Sequence, residues 1–151
     1  MGTHYKGSNS EVRTLNAFIK LMRASESINN RLNRHLAEQD LTVSQFGVLE
    51  ALLHLGPLNQ KSLAEKLLKS GGNITLVIDN LEKSGWVERH PNPEDRRSVL
   101  IHLTDEGEKL IKSYFPKHLQ KIMGEFSSLS DKELEQLASI CKKIGVQKDN
   151  N

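Results

Sequence analysis

Between Thr42 and Leu103 the spacing of apolar residues changes from threes and fours to twos, and that change leaves few folds open. Thr42-Val43-Ser44-Gln45 forms a capping box, with Thr42 as N-cap and Gln45 reaching back from three residues on. Phe46, Leu49, Leu52 and Leu53 follow as an apolar stripe that Gly56-Pro57 stops. Asn59 caps a second, short helix with Leu63, Ala64 and Leu67 inward. After a break at Ser70-Gly71-Gly72-Asn73, a third helix turns Ile74, Val77, Ile78 and Leu81 inward, and Gly85 ends it. Trp86-Val87-Glu88-Arg89-His90 then reads as one strand. Val99, Ile101 and Leu103 alternate with Ser98, Leu100 and His102 as a second. The loop between them, Pro91-Asn92-Pro93-Glu94-Asp95-Arg96-Arg97, is charged and holds two prolines, so the two strands make a β-hairpin with a long polar tip.

Helix, helix, helix, hairpin is the order of a winged helix-turn-helix, spanning residues 41–103. Long helical patterns flank it. Residues 1–10, rich in Gly, Ser, Asn and Thr, read as a disordered N-terminus. From Glu11, Leu15, Phe18, Ile19, Met22, Ile28, Leu32 and Leu36 recur at helical spacing over about 28 residues, roughly 42 Å. Such a helix crosses the whole molecule or reaches into a partner. Thr104 caps another long helix, with Leu110, Ile111, Tyr114, Phe115, Leu119, Ile122 and Phe126 on one face. Pro116 inside it should bend it or mark a break. Ser130-Asp131-Lys132-Glu133 is a second capping box, and the last helix turns Leu134, Leu137, Ala138, Ile140, Cys141 and Ile144 inward. Residues 147–151 read as a flexible tail. The expected fold is mainly α with a small β-hairpin wing, with residues 11–40 and 104–146 as dimerisation helices. A lone protomer would expose their stripes over more apolar area than a monomer usually shows.

Charge decides little. The chain carries 21 Lys and Arg against 19 Asp and Glu, spread evenly, so no segment is a basic arm. If DNA is bound, the fold must place the positive groups, because bulk charge does not supply them. No run approaches the ~20 apolar residues that span a bilayer, and no apolar leader opens the chain, so a cytoplasmic protein without membrane contact is expected. The single cysteine excludes an internal disulfide and a Cys-based zinc cluster within one chain. Cys141 is expected to be a buried structural thiol on the inward side of the last helix. There is no Gly-rich phosphate loop, nucleophile motif or convincing acid pair, so neither an enzyme nor a cofactor is expected.

The candidate DNA contacts lie where the motif would meet a duplex. The second short helix opens with Asn59, Gln60, Lys61 and Ser62, and helix N-termini favour phosphate. The third helix opens with Ser70, Gly71, Asn73 and Thr75. Small residues there let the backbone approach, Asn73 can pair bidentately with adenine, and Thr75 can touch a thymine methyl. Leu76 and Asn80 extend the same list. Arg89 at a strand end either binds phosphate or covers the sheet. At the wing tip, Asp95, Arg96 and Arg97 have nothing apolar to bury them. A minor groove attracts an inserted arginine, and an Asp two residues away can hold its guanidinium. Read alone, the same three residues are an ordinary solvated hairpin tip.

Three segments in order, Leu81-Glu82-Lys83-Ser84-Gly85-Trp86-Val87-Glu88-Arg89, Asp95-Arg96-Arg97 and Leu103-Thr104-Asp105-Glu106-Gly107, resemble the multiple-antibiotic-resistance regulator (MarR) family. The likeness covers about residues 11–146. It implies a homodimeric transcription regulator, usually a repressor, that presents one winged helix-turn-helix per protomer to a pseudo-palindromic operator. It also implies release by a small, often phenolic, ligand bound between the dimerisation and DNA-binding parts. By the motif match, Arg97 is the wing arginine, Asp95 its orienting partner, and Ser70–Leu81 the recognition helix. Peroxide-sensing relatives keep a cysteine in the first helix, and here Glu11–Asp40 holds none. Phe115-Pro116 with His118 resembles a subgroup that answers quinones and catechols. Gly71-Gly72 is unusual at the start of a recognition helix.

Candidates for a ligand pocket lie where the first, second and fifth helices would meet: Met22, Arg23, Ser27, Arg31, Phe46 and Leu49. The alternative is that they are core or interface residues only. A zinc-responsive regulator of the same fold is a further reading, but none of the six histidines pairs at His-x-x-x-His spacing, so no metal site is expected. A winged helix used only for protein docking is another, and it needs no arginines on its wing.

Overall fold

The structure, a computed structural model, describes residues 1–145. The expectation for residues 147–151 lies outside that range. Six helices and three short strands follow in the order α1 (Asn9–Ala37), α2 (Val43–Leu55), β1 (Leu58–Asn59), α3 (Gln60–Lys66), α4 (Gly71–Lys83), β2 (Val87–Pro91), β3 (Val99–Leu103), α5 (Asp105–Glu125) and α6 (Asp131–Gly145).

Caps set most of these boundaries. Thr42 and Gln45 form the capping box read from the sequence, Asn59 accepts the Ser62 N–H at 2.8 Å, and Ser130 pairs reciprocally with Glu133. A box not foreseen, Ser8 with Glu11, starts α1 two residues earlier than the apolar pattern, at Asn9. The Thr3 N–H donates to Asn16 Oδ1 at 2.7 Å, so part of the segment expected to be disordered lies against α1. α5 runs unbroken through Pro116, so the break that proline allows does not occur.

The hairpin is part of a three-stranded antiparallel sheet in the order β1-β3-β2. Leu58 pairs with Ile101, and Val87 with Leu103. β1 escaped the sequence reading because two residues show no period.

The core gathers on the inner faces of α2, α3, α4 and the sheet, roofed by α5. Phe46, Leu49, Leu52, Leu63, Ala64, Ile74, Ile78, Leu81, Ile101 and Ile111 are all buried. α5 seats closely on the start of β2. The Thr104 N–H donates to the Trp86 carbonyl at 3.1 Å, and its hydroxyl donates to the Gly85 carbonyl at 2.6 Å. A Cβ on Gly107 would stand 1.9 Å from the Trp86 carbonyl oxygen. The Leu-Thr-x-x-Gly signature therefore joins the wing to α5. Gly85, at φ +77°, supplies the left-handed residue after α4.

The two ends of the chain behave differently. α1 buries only Leu36, and α6 buries nothing. Cys141 is exposed in the protomer, contrary to expectation. The apolar stripe of α6 is where the sequence placed it: Leu134, Leu137, Ile140 and Ile144 all line the helix, but the protomer buries none of them.

Candidate nucleic-acid interface

α3 and α4 form the helix-turn-helix, and the outer side of α4 faces away from the core. Ser70 caps α4 by accepting the Asn73 N–H at 3.3 Å, so its hydroxyl serves the helix. The glycines that follow do not displace that cap. Asn73, Leu76 and Asn80 are exposed. Thr75 is half-buried, and its hydroxyl is engaged on both sides. It donates to the Gly71 carbonyl at 2.9 Å and accepts from Gln60 Nε2 at 3.0 Å. Gln60 thereby ties α3 to α4, while Lys61 beside it is exposed. The N-terminus of α3 is already part-filled by Asn59 Oδ1, which accepts the Ser62 N–H.

Arg89, read from the sequence as a phosphate contact or a cover for the sheet, is engaged within the protein. Its Nη1 donates to Glu82 at 2.8 Å and its Nη2 to Asp79 at 2.6 Å, with Gln60 Oε1 at 3.5 Å. Two carboxylates of α4 thus hold the β2 arginine and fix the recognition helix against the wing. Nothing in the sequence pointed to Asp79 or Glu82 as its partners, because they lie ten and seven residues upstream on another element.

The wing tip is ordered by its own backbone. The Asn92 N–H donates to the Ser98 carbonyl, the Ser98 N–H to the Asp95 carbonyl, and the Glu94 N–H to Asn92 Oδ1. Asp95 was expected to hold the Arg97 guanidinium. It instead accepts the Arg97 backbone N–H at 3.0 Å, an Asx-type turn that shapes the tip. Arg96 and Arg97 are exposed, and among the described residues neither guanidinium is in an ion pair.

The expected ligand residues do not converge. Phe46 and Leu49 are 5% and 0% exposed. Phe46 is packed against His118, ring centroids 4.1 Å apart, and against Tyr114 and Phe115. Met22, Arg23 and Ser27 line a shallow groove on α1 with Glu26 and Asn30. Arg31 lies in a different groove of about 330 Å³ between α1 and α5, with Arg34, His35, Glu38, Lys121 and Glu125. Apolar periodicity marked the face of α2 correctly but could not show that its facing volume is filled. In the second groove Arg31 donates to both Glu125 carboxylate oxygens and, at 2.5 Å, to Ser27 Oγ. The bond from Arg31 holds the Glu125 carboxyl below its ordinary pKa. Burial, and the neighbouring His35, lower the His118 pKa. Among the described residues no three His, Cys, Asp or Glu side chains converge as a metal site, and no helix is long and apolar enough to cross a membrane.

Comparison with known proteins places this geometry. Residues 41–99, the helix-turn-helix and most of the wing, match the MarR family. Over 134 residues the chain is 37% identical to the uncharacterised HTH-type transcriptional regulator YkoM of Bacillus subtilis, covering 89% of this chain and 87% of that one. It is 35% identical, again over 134 residues, to the HTH-type transcriptional regulator MhqR of the same organism, covering 89% and 92%. Among solved structures, a cysteine-to-serine mutant of MarR from E. coli complexed with operator DNA superposes with a TM-score of 0.76 at 27% identity, covering 92% of this chain and 99% of that one. The three signature segments, the caps between them and the extent of the match agree: the chain belongs to the MarR family of DNA-binding, winged-helix transcriptional regulators and is not an enzyme.

Proposed function

We propose that this chain is a dimeric repressor, acting in the cytoplasm, that binds a pseudo-palindromic operator and is released by a small aromatic effector. The observation that carries it is the contrast between committed and free side chains. Ser70, Thr75, Gln60 and Arg89 are engaged in building the motif. Asn73, Leu76 and Asn80 on α4, with Arg96 and Arg97 on the wing, are left exposed. These types suit base edges in the major groove and a cation in the adjoining minor groove.

Dimerisation follows from α1 and α6. An isolated helix of 15 residues is marginal in water. α6 buries no residue in the protomer, and Phe18, Met22, Leu119, Met123, Ile140 and Ile144 are each more than 40% exposed. A second copy would cover these faces. The groove between α1 and α5 suits a small anion such as a phenolate or carboxylate, since Arg31, Arg34 and Lys121 outnumber Glu38 and Glu125 there. It touches α1 and α5, the helices that would set the spacing of the two reading heads. An effector there releases DNA only to the extent that it prefers one spacing over the other.

Light scattering tests the assembly and operator titration the release. A mass near twice 17.0 kDa at micromolar concentration is expected, with operator affinity falling on addition of phenolic, quinone or aromatic carboxylate compounds. A monodisperse monomer contradicts the dimer. A full panel without effect contradicts the effector.

A further inference from the structure

Leu76 is an anomaly on its helix. α4 buries Ile74, Ile78 and Leu81, and at 100° per residue Leu76 falls on the opposite side, at the middle of the outward face. It is 61% exposed among Gly72, Asn73 and Asn80. The exposed apolar stripes of α1, α5 and α6 would be covered by a second copy of the chain in the proposed dimer, but Leu76 belongs to none of those helices.

Gly72 lies one turn before Leu76, so the two are neighbours on the helix surface. Nothing inside the protein requires glycine there. A Cβ at Gly72 or Gly71 would meet no atom within 4 Å, and neither residue has the left-handed backbone that glycine serves. Glycine is also the poorest helix former after proline. A bare backbone beside the one exposed leucine of α4 makes a shallow apolar seat. Lys61 and Lys66 on α3, Lys69 in the turn and Lys83 on α4 stand exposed against Glu65 and Glu82. Glu82 is paired with Arg89, so the unpaired surroundings carry the sign that a phosphate backbone attracts. The apolar group that a major groove offers is the C5 methyl of thymine. Thr75, the residue expected to meet that methyl, is half-buried with its hydroxyl spent on Gly71 and Gln60.

We propose that Leu76 is a specificity-determining residue that packs on a thymine methyl, and that Gly72 is left without a side chain so that α4 can seat deeply enough to reach it. The proposal rests on the operator-binding reading above. Its test starts from a duplex selected by the wild-type dimer. Each thymine of a half-site is replaced in turn by deoxyuridine, which lacks only the methyl, and affinity is read by fluorescence anisotropy. One position should lower wild-type affinity about fourfold per half-site, the effect of one buried methyl group. Leu76→Ala should show a similar loss on the thymine duplex and none further on the deoxyuridine duplex. Gly72→Ala should raise the melting temperature by roughly 2 °C and yet weaken operator binding at least tenfold. Circular dichroism confirms that both variants fold. If no deoxyuridine position matters to the wild type, or Leu76→Ala stays sensitive to the same position, the leucine contact is overturned. Wild-type affinity in Gly72→Ala overturns the clearance. A wild-type protein that selects no duplex overturns the operator reading and this inference together, an outcome distinct from the others.

Discussion

The Asp95 carboxylate accepts the backbone N–H of Arg97 at 3.0 Å, so the acid of the wing shapes the chain and not the guanidinium. The two residues therefore have separable roles. On the proposed reading Arg97 enters the minor groove, so Arg97→Ala should weaken operator binding by about 1–3 kcal/mol per site, more than Arg96→Ala does. Asp95→Asn keeps an acceptor for the same N–H and should bind nearly as wild type. Asp95→Ala frees the tip and should show a partial Arg97 defect. Affinity at two salt concentrations checks this, since a lost phosphate contact flattens the salt dependence and weakens all sequences alike. Equal affinity of Arg97→Ala and wild type would make the wing decorative.

Gly107→Ala places a methyl carbon against the Trp86 carbonyl oxygen, backbone that cannot rotate away. Stability should fall by about 2–3 kcal/mol and the melting temperature by roughly 5–10 °C. Thermal denaturation is the measurement, and an unshifted melt would show that α5 does not seat on β2 as described.

These two residues mark what the sequence could and could not show. The helices, the hairpin and every cap named from the sequence are legible because apolar spacing and capping side chains act within a few residues; the Ser8–Glu11 box, set in a polar stretch ahead of the apolar pattern, is not. Gly107 was read as part of a family signature, and its reason needed the approach of α5 to Trp86 across the fold. The ion pairs of Arg89 are not legible in the sequence, because its partners Asp79 and Glu82 come from a separate helix. Phe46 and Leu49 were on the correct face of α2, but whether a face borders a cavity or Tyr114 and His118 is decided by volume, which no linear pattern carries. The exposure of Cys141 was missed for a related reason. The pattern said that one face of α6 is apolar, not whether the cover belongs to the same protomer.

Leu68 holds φ +52° with its side chain 93% exposed, in the turn between α3 and α4. A left-handed backbone costs a non-glycine residue about 1–2 kcal/mol, and glycine returns ~0.5–1 kcal/mol of that in lost chain entropy. Leu68→Gly should thus stabilise the fold by about 0.5–1 kcal/mol, with no packing lost. Chemical denaturation reads the sign, and a destabilised variant would mean that the exposed leucine is covered in solution.

His118 is buried beside Phe46, with His35 and Tyr114 nearby and Glu38 3.6 Å from His35 Nδ1. Its pKa is lowered by burial and then by His35. Above the unfolded value of about 6.5 both states hold it neutral. Below that value the unfolded chain binds a proton that the folded chain refuses, so stability should decline from about pH 6.5 downward until the lowered folded pKa is reached. His118→Phe removes this part of the slope. Denaturation midpoints from pH 7.5 to 5 compare the two, and parallel curves would show that His118 does not titrate differently on folding.

The central claim is that two copies of this reading head recognise one symmetric site. In vitro selection from random duplexes by the purified protein tests it most directly. The account predicts enrichment of a two-fold-symmetric sequence with half-sites about ten base pairs apart, one turn of the helix, bound far more tightly than scrambled duplex at physiological salt. Recovery of no common sequence, with equal affinity for every duplex, would contradict it.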